Sequence, residues 1–166
     1  MESNSKTIYR KDLEAKKIFV KRYFDAPLNF VWKAWTEAEL LDQWWPPKPW
    51  KAETKSLDFK VGGHWLYAMC GPDQSRHWSI SIFTSIQPQK SFSTEVSFCD
   101  EDGNRLPELT KSSWQVNFKE EGNRTCVDVE LTFENLESLQ QLVEMGFEQG
   151  FAMAHGNLDE MIQLAN

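Results

Sequence analysis

The sequence predicts an α+β fold: a curved antiparallel sheet of seven strands, two short helices after the first strand, and one long C-terminal helix across the sheet. Three observations carry this. A strand-like segment ending at Phe24 leads into two short helical patterns that stop at Pro46, Pro47 and Pro49. Alternation with period two then runs for about eighty residues, which is the signature of strands with one dry face. Ser138–Ala165 finally repeats its polar residues every three, four or seven positions, as one side of a helix does.

Taken in order, Lys17–Phe24 is the first full strand, and Thr7–Arg10 is short enough for an edge strand. Residues 1–15 form an N-terminal extension, with 1–6 polar and frayed, to a single domain covering 1–166. Asp25 is placed to cap the first helix, with Pro27 in its first turn. Thr36 and Glu39 have the spacing of a capping box for the second, over Glu37–Trp44. The prolines end it because they supply no amide donor and fix φ.

Strands follow at Lys51–Phe59, His64–Cys70, His77–Phe83, Ser91–Phe98, Trp114–Phe118 and Val127–Phe133. Turn residues Gly62-Gly63, Gly71-Pro72-Asp73, Asp102-Gly103-Asn104 and Glu121-Gly122-Asn123 separate them, and Pro107 extends one loop. The dry side reads as Trp65, Tyr67 and Met69, then Trp78, Ile80 and Ile82. Phe92, Thr94 and Val96 continue it, as do Trp114, Val116 and Phe118, then Val127, Val129, Leu131 and Phe133. The long helix meets this side with Leu139, Val143, Phe147, Gly150, Phe151 and Leu158, while His155 is counted on its polar side. At ~1.5 Å per residue that helix spans roughly 40 Å.

The net charge of −7 disfavours nucleic acid and anionic membranes as partners. The basic cluster Arg10, Lys11, Lys16, Lys17, Lys21 and Arg22 is interrupted by Asp12 and Glu14 and reads as a solvated strand face. No apolar run reaches the ~18 residues of a membrane span. The N-terminal segment has no apolar core of a secretory signal. Three scattered cysteines, Cys70, Cys99 and Cys126, give neither a disulfide framework nor a zinc motif. A cytoplasmic location is expected, and nothing asks for a cofactor or a metal.

Eight tryptophans are an excess that fits either a Trp-rich core or an apolar cavity. The candidate cavity wall is Trp35, Trp65, Tyr67, Trp78, Ile80 and Phe92, with Trp114 and Phe118, facing Val143, Phe147, Gly150, Phe151 and either Met153 or Ala154. Trp44, Trp45 and Trp50 either gate its mouth or staple the short helices to the sheet. Gly146 and Gly150 leave gaps on the helix, which serve a ligand or a close helix–sheet approach. Catalysis is disfavoured. His64 and His77 alternate with inward tryptophans, and no nucleophile elbow, phosphate loop or HExxH motif is present.

The segment FDAPLNFVWKAWTEAELLDQWWPPK resembles one family of proteins, as do the GG-x-W-x-Y run Gly62–Tyr67, the turn Gly71-Pro72-Asp73 and the run Glu144–Phe147. It is the SRPBCC, or START-like, superfamily, and within it the bacterial homologues of the heat-shock-protein-90 ATPase activator C-terminal domain. The resemblance extends over about residues 17–165. It implies a helix-grip fold, as in the birch-pollen allergen, and a cavity for a hydrophobic small molecule, lipid-like or aromatic, that is carried, sensed or sequestered. Two other roles are implied as alternatives: a co-chaperone-like contact, and a polyketide cyclase- or aromatase-like activity with Tyr67 as the polar participant. The eukaryotic co-chaperone carries a separate N-terminal domain, whereas about 15 residues precede the first full strand here.

Overall fold

The computed structural model describes residues 7–105 and 111–165; the expectations for residues 1–6 and Pro107 lie outside them. One eight-stranded sheet holds the described residues together. Its strands are β1 (Thr7–Asp12), β2 (Lys17–Phe24), β3 (Lys51–Leu57), β4 (His64–Cys70), β5 (Arg76–Gln87), β6 (Ser91–Cys99), β7 (Lys111–Glu121) and β8 (Arg124–Phe133). The order is β1-β2-β8-β7-β6-β5-β4-β3, and every neighbouring pair is antiparallel. The α+β helix-grip expectation holds, with β1 as the eighth, edge strand. Register shifts at Thr54/Ser56 and Phe83/Ser85 place irregularities in β3 and β5, the device by which strands bend.

Helices α1 (Leu28–Thr36) and α2 (Ala38–Trp44) carry the chain from β2 to β3, at the far edge of the sheet. Their caps differ from expectation. Pro27 is the N-cap of α1, without a side-chain cap bond, in place of Asp25. Thr36 still belongs to α1, and its hydroxyl donates to the Trp32 carbonyl at 2.8 Å, so Glu37 caps α2. As the last residue of α1, Thr36 has helical backbone geometry, and an N-cap needs the extended geometry that Glu37 adopts.

The expected single C-terminal helix is two helices, α3 (Leu136–Glu144) and α4 (Phe147–Ala165). Asn135 caps α3 by accepting from the Ser138 amide at 2.8 Å. Gly146 breaks the run with φ +87°, its amide returning to the Val143 carbonyl at 3.0 Å. This is the left-handed helix stop that glycine adopts without a Cβ clash. Gly146 is therefore a terminator and not a gap for a ligand.

The core lies between the concave face and the helices. Ile18, Val20, Phe24, Val116, Val129, Leu131, Leu139, Leu158 and Ile162 are among its buried residues. A smaller cluster of Leu66, Ile80 and Cys99, with Trp78 and Ile82 against it, sits apart. Leu66 pairs with Ile80 across β4 and β5, while Trp65 and Tyr67 pair with Ser81 and Ser79. Since cross-strand partners share a face, Trp78, Ile80 and Ile82 lie on the side of the sheet away from the main core. Their expected inward phase is corrected: both faces of β5 carry apolar residues, and alternation alone picked the wrong one.

Candidate functional site: an aromatic cavity under the helices

Alternation along four neighbouring strands delivers one wall. Trp65 and Tyr67 come from β4, Ser81 and Phe83 from β5, Phe92, Thr94 and Val96 from β6, and Trp114 and Val116 from β7. Trp35 of α1, Leu41 of α2 and Trp45, just after α2, close it from above. The space open to the centres of water-sized molecules is ≈ 70 Å³. Trp65 and Tyr67 form one stacked pair, with ring centres 4.2 Å and planes 20° apart. Trp45 stands nearly upright to it, 73° from the Trp65 plane.

The polar tips of Trp45, Trp65, Tyr67 and Trp114 are occupied, whereas the buried Trp35 indole N–H has no partner among the described residues. The Trp45 indole donates to the Tyr67 hydroxyl at 2.9 Å. The Trp65 indole donates to Thr54 Oγ1 at 3.0 Å, which itself donates to Asp42 Oδ1 at 2.6 Å. The Trp114 indole donates to Ser112 Oγ at 2.9 Å. Burial pushes the Tyr67 phenol up despite bonds from Trp45 and Ser79, so it stays neutral. Ser81 and Thr94 are different: both are buried cavity residues, and neither side chain forms a hydrogen bond among the described residues. No Asp, Glu, Lys, Arg or His lines the space.

Of the residues expected at this site, Trp35, Trp45, Trp65, Tyr67, Phe92 and Trp114 line the cavity. Phe118 packs one layer away, its ring 5.0 Å from Trp32 and 6.1 Å from Trp35. Phe151 backs the wall, within 5.8 Å of Trp45 and 5.7 Å of Trp114, and Phe147 stacks on Phe151 at 5.1 Å. Val143 is partly buried against the core. Ala154 is buried and Met153 exposed.

The expected places of Trp78, Ile80, Gly150 and Trp50 need correction, and Trp44 is placed as a staple. Trp78 and Ile80 belong to the separate cluster on the other face. A Cβ on Gly150 would meet only Pro47, at 3.8 Å, so Gly150 faces the proline segment and not the cavity. Trp44 is fully buried and donates to the Ala34 carbonyl at 2.8 Å, a staple between α1 and α2. Trp50 lies against His77, with ring centres 5.7 Å apart. The site residues not anticipated are Leu41, Ser81, Phe83, Thr94, Val96 and Val116. The last three were on the dry face of the sequence but were not singled out. The tight turn at Gly71–Ser75 was the signal for Ser81, because it sets the register that puts Ser81 opposite Trp65.

The histidines divide. His64 Nε2 is 2.7 Å from Ser56 Oγ and half-buried, and His77 is exposed. His155, expected on the polar side of its helix, is 1% exposed. It stands four residues after Phe151 and three before Leu158, in the buried stripe of α4. Phe151, Phe24, Trp35 and Trp44 surround it, with ring centres 4.2, 5.5, 6.0 and 6.3 Å away. Neither ring nitrogen has a hydrogen-bond partner among the described residues. Burial, with the positive charge of Arg22 adding to it, pushes the imidazole down to about 3. Arg22 is also buried, against the expected solvated face. Its Nη2 donates to Asp159 Oδ2 at 2.6 Å and its Nη1 to the Tyr23 carbonyl at 2.9 Å, pinning α4 to β2. Its position in the inward phase Ile18, Val20, Arg22, Phe24 was the signal.

Among the described residues, no group of three or more His, Cys, Asp or Glu is gathered to hold a metal ion. No described helix is long and apolar enough to cross a membrane.

Solved structures similar to this one come from bacteria. A protein from Arthrobacter aurescens is 33% identical with a TM-score of 0.85, covering 92% of this chain and 88% of its own. Protein Ms6760 from Mycobacterium smegmatis is 28% identical with a TM-score of 0.86, covering 93% and 95%. A protein from Staphylococcus epidermidis is 25% identical at 0.83, covering 95% and 94%. Among curated proteins none matches the sequence. The family model described as Activator of Hsp90 ATPase homolog 1-like protein matches residues 25–163, a span that runs from the turn before α1 to near the end of α4. The chain belongs to the Activator of Hsp90 ATPase homolog 1-like family.

Proposed function

We propose that the chain binds a hydrophobic small molecule between the sheet and the helices, for transport, sensing or sequestration. The observation that carries this is the cavity wall: seven of its twelve residues are aromatic, none is charged, and the Ser81 and Thr94 hydroxyls have no partner among the described residues. Small-molecule sites are built in this way, mostly apolar with a few placed polar groups. Free thiols at Cys70, Cys99 and Cys126 suit a cytoplasmic setting.

Catalysis is not part of the proposal, because the one titratable group in the wall is Tyr67, held neutral by burial. A chaperone contact is the second reading, and the family match alone favours it. Native mass spectrometry of the protein purified from its own host tests the first reading: a bound small molecule of constant mass supports it. An empty protein, together with no titratable binding of an apolar dye, refutes it. Stoichiometric capture of the host's large chaperone, with the cavity empty, favours the second.

A further inference from the structure

We infer that the ligand is a neutral, single-ring aromatic molecule carrying a small hydrogen-bonding substituent, a phenol-like compound, and that it enters past Trp45. The inference rests on the cavity-binding reading above and adds the chemical class.

Four features of the site select that class. Charge is the first. An ionised group brought into a space without a counter-charge loses its hydration with no repayment, and no charged side chain lines this one. Fatty acids, benzoates and amines are thereby disfavoured. Shape is the second. Aromatic rings at different tilts line the space, Trp45 standing 73° from the Trp65 plane of the stacked Trp65–Tyr67 pair, so a planar ring finds both faces and edges to pack on, the geometry that aromatic pairs prefer. A flexible alkyl chain gains neither contact.

Polarity is the third. Ser81 pairs with Val96 and Phe83 with Thr94, so the two hydroxyls are diagonal neighbours on one face of β5 and β6. Both line the cavity with no partner among the described residues. A plain hydrocarbon that displaced water would strand them; a phenolic hydroxyl pairs with either as donor or acceptor.

Size is the fourth. The open space of ≈ 70 Å³ is less than half of the roughly 150 Å³ in which a dry protein cavity accepts benzene. One ring is thus the limit, and a wall must give way to admit it. Trp45 is the candidate. It is half-buried where Trp35, Trp65 and Tyr67 are buried, it follows the end of α2, and one hydrogen bond to Tyr67 holds its tip.

The test compares p-cresol, toluene, benzoate and octanoate by calorimetric titration of the wild-type protein, with the indole N–H cross-peaks followed by two-dimensional NMR. The expected result is that p-cresol binds at least about tenfold more tightly than toluene, that benzoate and octanoate bind more weakly still, and that the Trp45 indole signal shifts on binding. Ser81→Ala with Thr94→Val should bring the p-cresol and toluene affinities together. The wild-type ratio stands without the variant, so a variant that fails to fold leaves the test intact. Equal affinity for toluene and p-cresol, or octanoate or benzoate binding best, overturns the ligand class while leaving cavity binding in place. No binding of any probe, with an empty protein from the host, overturns both.

Discussion

Lowering the pH should expose the cost of keeping His155 neutral. Its folded-state value is about 3, below the ordinary 6.5. The unfolded chain therefore binds a proton that the native state refuses, and stability falls as the pH drops from 6.5 towards 3. Linkage over these two values gives a loss of about 2 kcal/mol between pH 7 and pH 5, and about 3 kcal/mol by pH 4. At pH 5 the figure is set almost wholly by the unfolded-state value, since the native imidazole is still unprotonated there. His155→Leu removes the proton site without removing a hydrogen bond, because neither nitrogen makes one. Urea unfolding of both proteins at pH 7 and pH 5 isolates the residue. With an m-value of roughly 2 kcal/mol/M, the wild-type midpoint should fall by about 1 M more than that of the variant. Equal shifts in the two proteins would mean that His155 is protonated in the native state at pH 5 and that its aromatic surroundings admit a charge.

Gly146→Ala should lower stability by about 1 kcal/mol, because the open surroundings leave only the backbone cost of a left-handed residue; a thermal melt measures it. Gly150→Ala should raise the melting midpoint by about 2 °C from ~0.5–1 kcal/mol of helix propensity and leave p-cresol affinity unchanged, since its Cβ meets Pro47 and not the cavity. Loss of p-cresol binding would return Gly150 to the site. Asp159→Ala strands the 1% exposed Arg22 and should cost about 3 kcal/mol in urea unfolding, whereas Lys48→Ala, which breaks an exposed pair with Glu160, should leave the midpoint nearly unmoved.

The strand pattern was legible wherever one face was wet. β6, β7 and β8 placed Phe92, Trp114, Val116 and Val129 inward, as their alternation said. It failed in β5, where the second cluster puts Trp78 and Ile80 on the opposite face and leaves Ser79 and Ser81 inside. There the register with β4, set by a turn, outranks hydropathy. Residue type also misled in α4 and β2, because His155 and Arg22 are polar residues at core phases, disclosed only by the helix angle of the one and the strand alternation of the other. The break at Gly146 was written in the sequence as a glycine. It was read as a gap because an amphipathic pattern continues across a left-handed turn when both helices pack on one sheet.

The neighbour that completes β2 is far away along the chain: Phe24 pairs with Thr125, about 100 residues later. During synthesis at ~5–20 residues per second, roughly 5–20 seconds separate the appearance of these two partners at the ribosome. Through much of that interval α1 and α2 are present with Trp32, Trp35, Trp44 and Trp45 while β7, β8 and the final helix that help to shelter them are still to be made. The segment made early thus becomes enclosed late, and the meander from β3 to β8 must assemble before its first-made neighbour can dock. Topologies dominated by such distant pairings fold slowly. The tryptophan-rich wall is therefore also the stretch through which the nascent chain is most exposed to wrong partners.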